Sequence, residues 1–326
     1  MYEQDGCILE TFSRLVKEEV IRNEFSRCGR CHKAELSAII HMVGSILLSG
    51  RERLSLAINL ESASIARRIV KLIKLTSKLE SEILVEQNDK LGRIHRYKIM
   101  LPSQPGLIEF LDDLGMMSRD RNLERGIAPQ LVNKECCRAS FLRGAFLAGG
   151  SITDPQRKSY HLELVTYNED FADGLVYLMN LLNLKAKLSR RKAYYVVYLK
   201  ESEANARFLT LIQANSAVIK LEEIRVIKGL REEVNRRVNC ETANLEKTLS
   251  AAWNQVETIN HLIAQVGLGV LPTSLRRTAE LRLEYPEATL KELGELHTPP
   301  ISKSAVNHRL RLIQQYVKKF TEQEGI

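Results

Sequence analysis

The sequence predicts an α+β protein made of a double repeat, a long charged helix and a small all-helical C-terminal domain. Residues 36–46 and 142–152 share a helical apolar pattern at an offset of 106 positions. The alternating apolar residues of 54–60 match those of 162–166 at the same offset. Each copy is therefore predicted to follow the order αββαββα, and the pair to be related by a pseudo-twofold axis.

The first helix of each copy is predicted to pack against the other. Gly144 and Ala148 lie four positions apart and share one helix face, and Ala38 takes the place of Gly144 in the first copy. Small residues let two helices approach closely. We therefore predict that Ala38, Gly144 and Ala148 form the interface between copies of about residues 28–114 and 136–212.

Shorter signals place the remaining elements of the repeat. An amphipathic segment that includes Leu9, Phe12 and Val16 precedes the first copy and is predicted to cover its sheet. Prolines end the strands of that copy and start a helix over residues 107–117. The second copy is predicted to close with a helix over 204–211. The matched strands are expected to point Ser55, Ala57, Asn59 and Glu61 outward in one copy, and His161, Glu163, Val165 and Tyr167 in the other.

From residue 221 to residue 264 the pattern is helical and rich in alternating charges, as in helices that bridge domains. Gly267, Gly269 and Pro272 predict a hinge after it. The predicted domains are therefore the double repeat at 1–220, the bridging helix and hinge at 221–270, and a last domain at 271–326.

The last domain predicts a helix-turn-helix. A helix over 273–284 stops before Pro286, and residues 289–292 form a capping box that opens a short helix. Pro299 and Pro300 then force a turn, and Ser302 caps a last helix. A cationic helix held by two supporting helices suits the DNA major groove, although a small protein-binding domain shows the same spacing.

The last helix is predicted to bury Val306, Leu310, Ile313 and Val317 and to carry no acidic residue from 302 to 319. Its other side holds the predicted DNA contacts. We expect Asn307 to read a base, because an amide pairs bidentately with adenine, and Lys303 and Arg311 to hold phosphates. The full predicted DNA-binding set is Lys303, Ser304, Asn307, His308 and Arg311.

Composition agrees with a nucleic-acid partner. The chain has 48 basic and 40 acidic residues, a net charge of +8, and 44% hydrophobic residues, an ordinary globular composition. The basic run over 185–192 predicts a secondary DNA-binding set of Lys187, Arg190, Arg191 and Lys192, with a solvated face as the alternative. The first residues do not resemble a signal peptide, and no apolar run reaches the roughly 20 residues of a membrane span. We expect a cytoplasmic protein with no membrane partner.

The cysteines predict reduced thiols without a disulfide. Cys28 and Cys31 match half of a zinc ribbon or a haem-attachment pattern, but neither Cys7 nor the pair Cys136–Cys137 lies at a convincing spacing for a second ligand pair. We therefore expect no metal and no cofactor. His41 falls in an apolar helical run and is expected to be a hydrogen-bonded core histidine rather than a ligand.

Residues 142–150, Leu-Arg-Gly-Ala-Phe-Leu-Ala-Gly-Gly, resemble a worn LAGLIDADG motif, which forms the paired interface helices of homing endonucleases. The resemblance implies a sheet surface that saddles DNA. It also implies an acidic residue next to last in each motif, which holds a divalent metal for phosphodiester hydrolysis. Gly149 and Val43 stand at those positions. The resemblance therefore implies that the nuclease metal site is missing.

Three further motifs, at residues 238–245, 290–296 and 302–310, join the double repeat in resembling the WhiA family of bacterial sporulation and cell-division regulators over nearly the whole chain. The resemblance implies a transcription regulator that binds promoter DNA at the nucleoid, with no nuclease activity and no catalytic residues. It also implies a role in chromosome segregation, and another transcription factor or RNA polymerase as a protein partner. It does not explain Cys28 and Cys31.

Two other functions compete with a regulator. An active endonuclease would need acids near the ends of both interface helices, and only Asp154 is near, with Leu48 as its counterpart. An RNA-binding or ribosome-associated scaffold would need stacking aromatics on an exposed sheet, and the cluster available is Tyr194, Tyr195 and Tyr198.

Overall fold

A computed structural model describes residues 11–49, 53–88, 94–118 and 120–323. Cys7 and Leu9 lie outside the described residues. The chain forms two compact units, Met1–Lys228 and Gly229–Ile326. Within the described ranges, no helix combines the length and the apolar character needed to cross a membrane.

The first unit holds both copies of the repeat, preceded by helix α1 (Phe12–Arg22). The first copy contains α2 (Gly29–Val43), β1 (Gly44–Ser49), β2 (Arg53–Leu60), α3 (Ala63–Thr76), β3 (Glu82–Asn88), β4 (Ile94–Leu101) and α4 (Leu107–Asp113). The second contains α5 (Glu135–Gly149), β5 (Gly150–Ile152), β6 (Leu162–Thr166), α6 (Glu169–Leu181), β7 (Lys187–Arg191), β8 (Tyr194–Leu199) and α7 (Ser202–Leu211).

The two copies have the same topology, which confirms the predicted αββαββα order. Each forms a four-stranded antiparallel sheet, with strand order β1-β2-β4-β3 in the first and β5-β6-β8-β7 in the second. Each sheet has its own apolar core beneath its helices. Phe12, Val16 and Val20 of α1 are buried in the core of the second copy, so this helix covers that copy rather than the sheet of the first.

Helices α2 and α5 pack side by side and run in the same direction. A Cβ atom added to Gly144 would lie 2.2 Å from the backbone oxygen of Glu35 and 3.1 Å from the Cβ of Ala38. At the C-terminal ends of the two helices, a Cβ atom added to Gly149 would lie 2.3 Å from the methyl carbon of Met42. Ala148 is half-buried and packs against the cores of both copies.

A buried ionic network lies beside this contact. Arg68 of α3 donates to both carboxylate oxygens of Glu35, at 2.6 and 3.2 Å, and Arg143 of α5 donates to the same carboxylate at 3.5 Å. Arg143 also donates to the backbone oxygen of Ile212 and to the side chain of Gln213. The charges are 2–5% exposed, and because each has partners, their burial is compensated.

Two details of the repeat differ from expectation. Helix α4 ends at Asp113 rather than at residue 117, because Gly115 adopts a left-handed φ of 63° that turns the chain away. Ala57, expected to point outward, is only 2% exposed, because its short side chain lies between Ser45 and Met100 on the neighbouring strands.

Helix α8 spans Asn215–Gln265, and so begins six residues before the predicted start at 221. Its first turn is capped from a distance: the backbone N–H groups of Ser216 and Ala217 donate to the carboxylate of Glu19 in α1, at 2.6 and 3.2 Å. A cap supplied from 197 residues away leaves no local signal in the sequence.

The second unit confirms the predicted helical domain. It contains α9 (Thr273–Glu284), α10 (Leu290–Glu295) and α11 (Lys303–Gln323). Its core combines Leu293, Val306 and Leu310 with Ile259 and Leu262 from the end of α8. The last turns of the long helix are therefore part of this domain's core.

We predict that Gly144→Ala destabilises the first unit by about 1–3 kcal/mol, because the added methyl group overpacks against the backbone of Glu35, which cannot rotate away. Denaturant unfolding of the full-length protein measures the change.

The matched control is Gly229→Ala, also inside a long helix, where an added Cβ has no heavy atom within 4 Å. It should leave stability unchanged or raise it by about 0.5–1 kcal/mol. Equal effects of the two substitutions would contradict the close approach of α2 and α5.

Candidate nucleic-acid interface

The supporting helices of the second unit begin where their capping residues predict. Thr289 accepts a hydrogen bond from the backbone N–H of Glu292 at 3.3 Å, and the Glu292 carboxylate accepts one from the backbone N–H of Thr289 at 2.7 Å. The predicted capping box is therefore complete. Ser302 accepts a hydrogen bond from the backbone N–H of Ala305 at 3.2 Å, which confirms it as the cap of α11.

The turn between α10 and α11 depends on a glycine. The backbone N–H of Ile301 donates to the backbone oxygen of Gly294 at 3.0 Å, and a Cβ at Gly294 would lie 2.4 Å from the oxygen of Ile301. After Pro299 and Pro300, this contact holds Ile301 against Gly294 of α10. It sets where α11 starts relative to its supporting helix.

Two buried polar residues, which the sequence analysis did not identify, hold this domain together. Arg282, 1% exposed, donates to the backbone oxygens of Tyr285, Pro286 and Ala288, and burial lowers its pKa. Through these bonds it secures the loop after α9. A buried arginine and a surface arginine give the same signal in a sequence, so only the folded structure identifies it.

The other is His297, which lies 3.3 Å from the hydroxyl oxygen of Thr278. That hydroxyl donates its proton to the backbone oxygen of Ser274 at 3.0 Å, so it accepts from the Nε2–H of His297. Burial, together with Arg309 and Arg277, lowers the pKa of His297. A neutral histidine thus joins the end of α10 to α9.

Helix α11 separates an apolar side from a polar side. Val306, Leu310, Ile313 and Val317 are all buried, as predicted. On the other side, the structure places four of the predicted contact residues in exposed positions and Asn307 in a half-buried one; the exposed four are Lys303, Ser304, His308 and Arg311. All five lie in the first nine residues of the helix.

The basic run on the second sheet does not form one patch. Lys187 and Arg191 share a face of the edge strand β7, whereas Arg190 lies on the opposite face, which carries the core residues. There the guanidinium of Arg190 lies 5.7 Å from the ring centroid of Tyr195. Lys192 occupies the hairpin turn, with φ 52°. Only Lys187 and Arg191 share the outer surface of the sheet.

A cavity of about 550 Å³ lies at the C-terminal end of α2 and is lined by His41, Met42, Gly44 and residues around the start of α6. Gly149, which takes the position of the motif acid in the second copy, lies close to Met42 and Val165. A Cβ there would meet Met42 at 2.3 Å and the backbone oxygen of Val165 at 3.0 Å.

Two carboxylates that the sequence analysis did not consider line this cavity. Glu169 and Asp170 lie in the first turn of α6, near Arg125. Glu169 accepts a hydrogen bond from the hydroxyl of Tyr195 at 2.9 Å. Asp154 was the acid expected near the helix ends, and the cavity lining does not include it. Asp154 is nearer to the motif in the sequence, but Glu169 and Asp170 are the acids that line the cavity in the folded structure.

His41 is packed in the core, but it lacks the hydrogen bond that was expected for it. Its ring stacks on Phe171 with centroids 4.6 Å apart, while its Nε2 atom is buried and makes no hydrogen bond to the described residues. The expectation of a fully satisfied core histidine is wrong for this nitrogen. Burial lowers the pKa of His41 to about 4.

The four cysteines at the starts of α2 and α5 lie together. Cys28, Cys31, Cys136 and Cys137 place their sulfur atoms within 4.8 Å of one another. The expectation that Cys136 and Cys137 cannot complete a ligand set with Cys28 and Cys31 is therefore wrong, because the helices bring them together across about a hundred residues. The cysteines of the described ranges are free thiols. Backbone N–H groups of Cys31 and Arg30 lower the pKa of Cys28 to about 7, and burial raises that of Cys137 to about 12.

Three family models match the chain. They describe a WhiA N-terminal LAGLIDADG-like domain at residues 29–117, a WhiA LAGLIDADG-like domain at 138–231 and a WhiA C-terminal HTH domain at 234–317. The chain is similar to the probable cell division protein WhiA of Desulforamulus reducens, with 46% identity over 95% of this chain and 96% of the relative. It is also similar to the protein of the same name from Heliobacterium modesticaldum, with 43% identity over 97% and 98% of the two chains.

A solved structure agrees with the fold. The crystal structure of full-length DUF199/WhiA from Thermatoga maritima aligns with a TM-score of 0.56 and 26% identity, over 95% of this chain and 99% of that one. The match extends over the double repeat, the long helix and the helix-turn-helix.

We predict that stability declines by about 2 kcal/mol from pH 7.5 to pH 5 because of His41. Its folded pKa is lowered, so the neutral form favours the folded state. This contribution is complete above the unfolded pKa of about 6.5 and is lost progressively as the pH falls toward 4. Denaturant unfolding at the two pH values measures it.

The His41→Phe variant retains an aromatic ring to stack on Phe171 and should lose this part of the pH dependence. His261→Phe, at an exposed position of α8, should keep the wild-type dependence. A His41→Phe variant with the full wild-type loss of stability would show that another group is responsible.

Proposed function

The chain belongs to the WhiA family, and from that premise we propose that it is a sequence-specific transcription regulator of sporulation and cell-division genes, without nuclease activity. Its helix-turn-helix domain makes it a DNA-binding regulator. The specific genes, the roles of individual residues and the absence of catalysis are the proposed part.

The polar side of α11 is the observation that carries the proposal. From Lys303 to Lys319 the helix has five cationic residues and no acidic one, and its apolar side is occupied by the core of its own domain. Arg309 donates a hydrogen bond to the backbone oxygen of Ser274, at 3.5 Å. That leaves Lys303 and Arg311 as the exposed cations of the first turns, where recognition helices enter the major groove.

We assign base reading to Asn307 and phosphate binding to Lys303 and Arg311, with Ser304 and His308 beside them. Asn307 lies one turn after Lys303 and one turn before Arg311, so these three residues follow one line along the helix. Its half-burial limits the motion of the amide, which favours a directional pair of hydrogen bonds with one base.

The double repeat is proposed as a platform that has lost catalysis. We divide the chain into the repeat at 1–220, a bridging helix and hinge at 221–270, and the DNA-binding domain at 271–326. Lys187 and Arg191 on the outer face of the second sheet are retained as a secondary DNA contact, with Lys192 in the adjacent hairpin turn, while Arg190 on the opposite face is left out. Another transcription factor or RNA polymerase is the proposed protein partner, and the nucleoid the proposed location.

Mapping of bound sites across the genome tests the proposal as a whole. Wild-type protein should be enriched at discrete promoter sites near cell-division and sporulation genes, and the full-length Asn307→Ala variant should lose them. Retention of the sites by that variant, with loss in Lys187→Ala/Arg191→Ala, would move sequence reading to the second sheet and overturn the assignment to α11.

We predict that Asn307→Ala costs about 1–3 kcal/mol of binding free energy at the cognate site and little at unrelated DNA. Lys303→Ala and Arg311→Ala should instead weaken binding to all sequences, and each should reduce the slope of log K against log salt by about one unit. Fluorescence titrations at several salt concentrations separate the two effects.

Gln314→Ala is the matched control, because it removes an exposed amide seven positions further along the same helix, about 10 Å away. It should change neither affinity nor salt slope. A loss equal to that of Asn307→Ala would show that the amides do not act by base contact at the start of the helix.

We predict that the full-length protein does not cut promoter DNA with Mg²⁺ or Mn²⁺, because Val43 and Gly149 offer no side-chain ligand for a metal ion. Supercoiled plasmid that carries a bound promoter should remain intact on an agarose gel. Nicking that disappears in the Glu169→Gln variant would place a nuclease in the cavity and contradict the proposal.

A further inference from the structure

We propose that Cys28, Cys31, Cys136 and Cys137 bind one tetrahedral metal ion of the zinc class, which joins the two copies of the repeat at the start of their interface helices. Within the described residues, they are the one group of three or more histidine, cysteine and acidic side chains placed closely enough to share an ion. The site is separate from the DNA-binding domain and does not depend on the proposed function.

The position of the cluster follows from the pseudo-twofold repeat. Cys31 and Cys137 are 106 residues apart, the same offset as Ala38 and Gly144, so each pair occupies equivalent positions in the two copies. Ala38 and Gly144 meet at a close contact between α2 and α5. Two turns earlier along both helices, the same relation brings the buried thiols of Cys31 and Cys137 together.

Each copy then adds a second cysteine in its own way. In the first copy, Cys28 is the N-cap residue of α2, three positions before Cys31. In the second, Cys136 immediately precedes Cys137 in the first turn of α5. The four residues therefore come from two helix starts rather than from the paired loops of a zinc ribbon.

The distances fit a single ion. A zinc–sulfur bond of about 2.3 Å in a tetrahedron separates neighbouring sulfur atoms by about 3.8 Å. The sulfur atoms of Cys31 and Cys137 are 3.8 Å apart, and all four lie within 4.8 Å of one another. An iron–sulfur cube is too large for this arrangement, because each of its thiolates binds a different iron atom.

The surroundings favour the charge of the site. Four thiolates and a divalent cation carry a net charge of −2, once each thiol has released its proton to solvent. At the start of α2, the backbone N–H groups of Cys31 and Arg30 interact with the sulfur of Cys28, which favours its thiolate form. Cys31 and Cys137 are 1% exposed, and Cys136 lies at the surface, which gives the ion a path of entry.

Metal analysis of the full-length protein tests this assignment. After loading with zinc under reducing conditions and removal of excess metal, the protein should hold close to one ion per chain. Co²⁺ in place of zinc should show the intense visible absorption of a tetrahedral thiolate complex and sulfur-to-cobalt charge transfer. Zinc should also raise the melting temperature, because it links α2 to α5.

Cys136→Ser is the decisive variant, because it changes an exposed side chain and leaves the buried pair intact. Its metal-free form should fold and melt like metal-free wild-type protein, while its zinc affinity falls about tenfold or more and its cobalt spectrum changes. Cys240→Ser, an exposed cysteine of α8 outside the cluster, should bind metal as wild type does.

Three results would overturn the proposal. The first is no uptake of zinc by reduced, folded protein. The second is a cobalt spectrum and zinc affinity that Cys136→Ser leaves unchanged. The third is iron accompanied by acid-labile sulfide, which would mean a cluster instead of a single ion.

Discussion

The packing of α2 against α5 is the contact on which the first unit depends. Gly144 lies against the backbone of Glu35, so the two helices approach more closely than any larger residue permits. The same close approach excludes water from the Glu35 carboxylate, which is stable there because Arg68 and Arg143 surround it. Arg68 comes from the first copy and Arg143 from the second, so one buried anion joins both halves.

This contact also gives the paired helices two different ends. At their starts, the pseudo-twofold relation brings cysteines together; at their ends, it brings Met42 beside Gly149 and leaves a cavity lined by His41 and acids of α6. The acids that line this cavity come from α6, and Gly149 lies close to Met42 without lining the cavity. The two ends of the paired helices therefore have different surroundings within one symmetric double repeat.

In the second unit, the cationic helix α11 contributes its apolar side to the core and keeps its charged residues outside it. Its apolar residues face inward at helical spacing, and Arg282 and His297 form their hydrogen bonds with the loop after α9 and with α9 itself. The exposed residues Lys303, Ser304, His308 and Arg311 of α11 are therefore outside the buried contacts of the core. Substitutions there can change recognition while the fold is retained.

The sequence alone determined whatever depends on local spacing. The alternation of the strands, the capping box at Thr289 and the apolar line of α11 are set by residues within a few turns of each other, and these predictions are confirmed. The repeat was predicted because the same local pattern recurs 106 residues later. Tertiary structure decided what depends on distant partners. Glu19 caps a helix 197 residues away, Arg190 and Lys187 lie on opposite faces of one strand, and four cysteines from two helix starts converge. The physical reason is that a helix or strand presents its residues by period, but its neighbours are chosen by the packing of the whole unit.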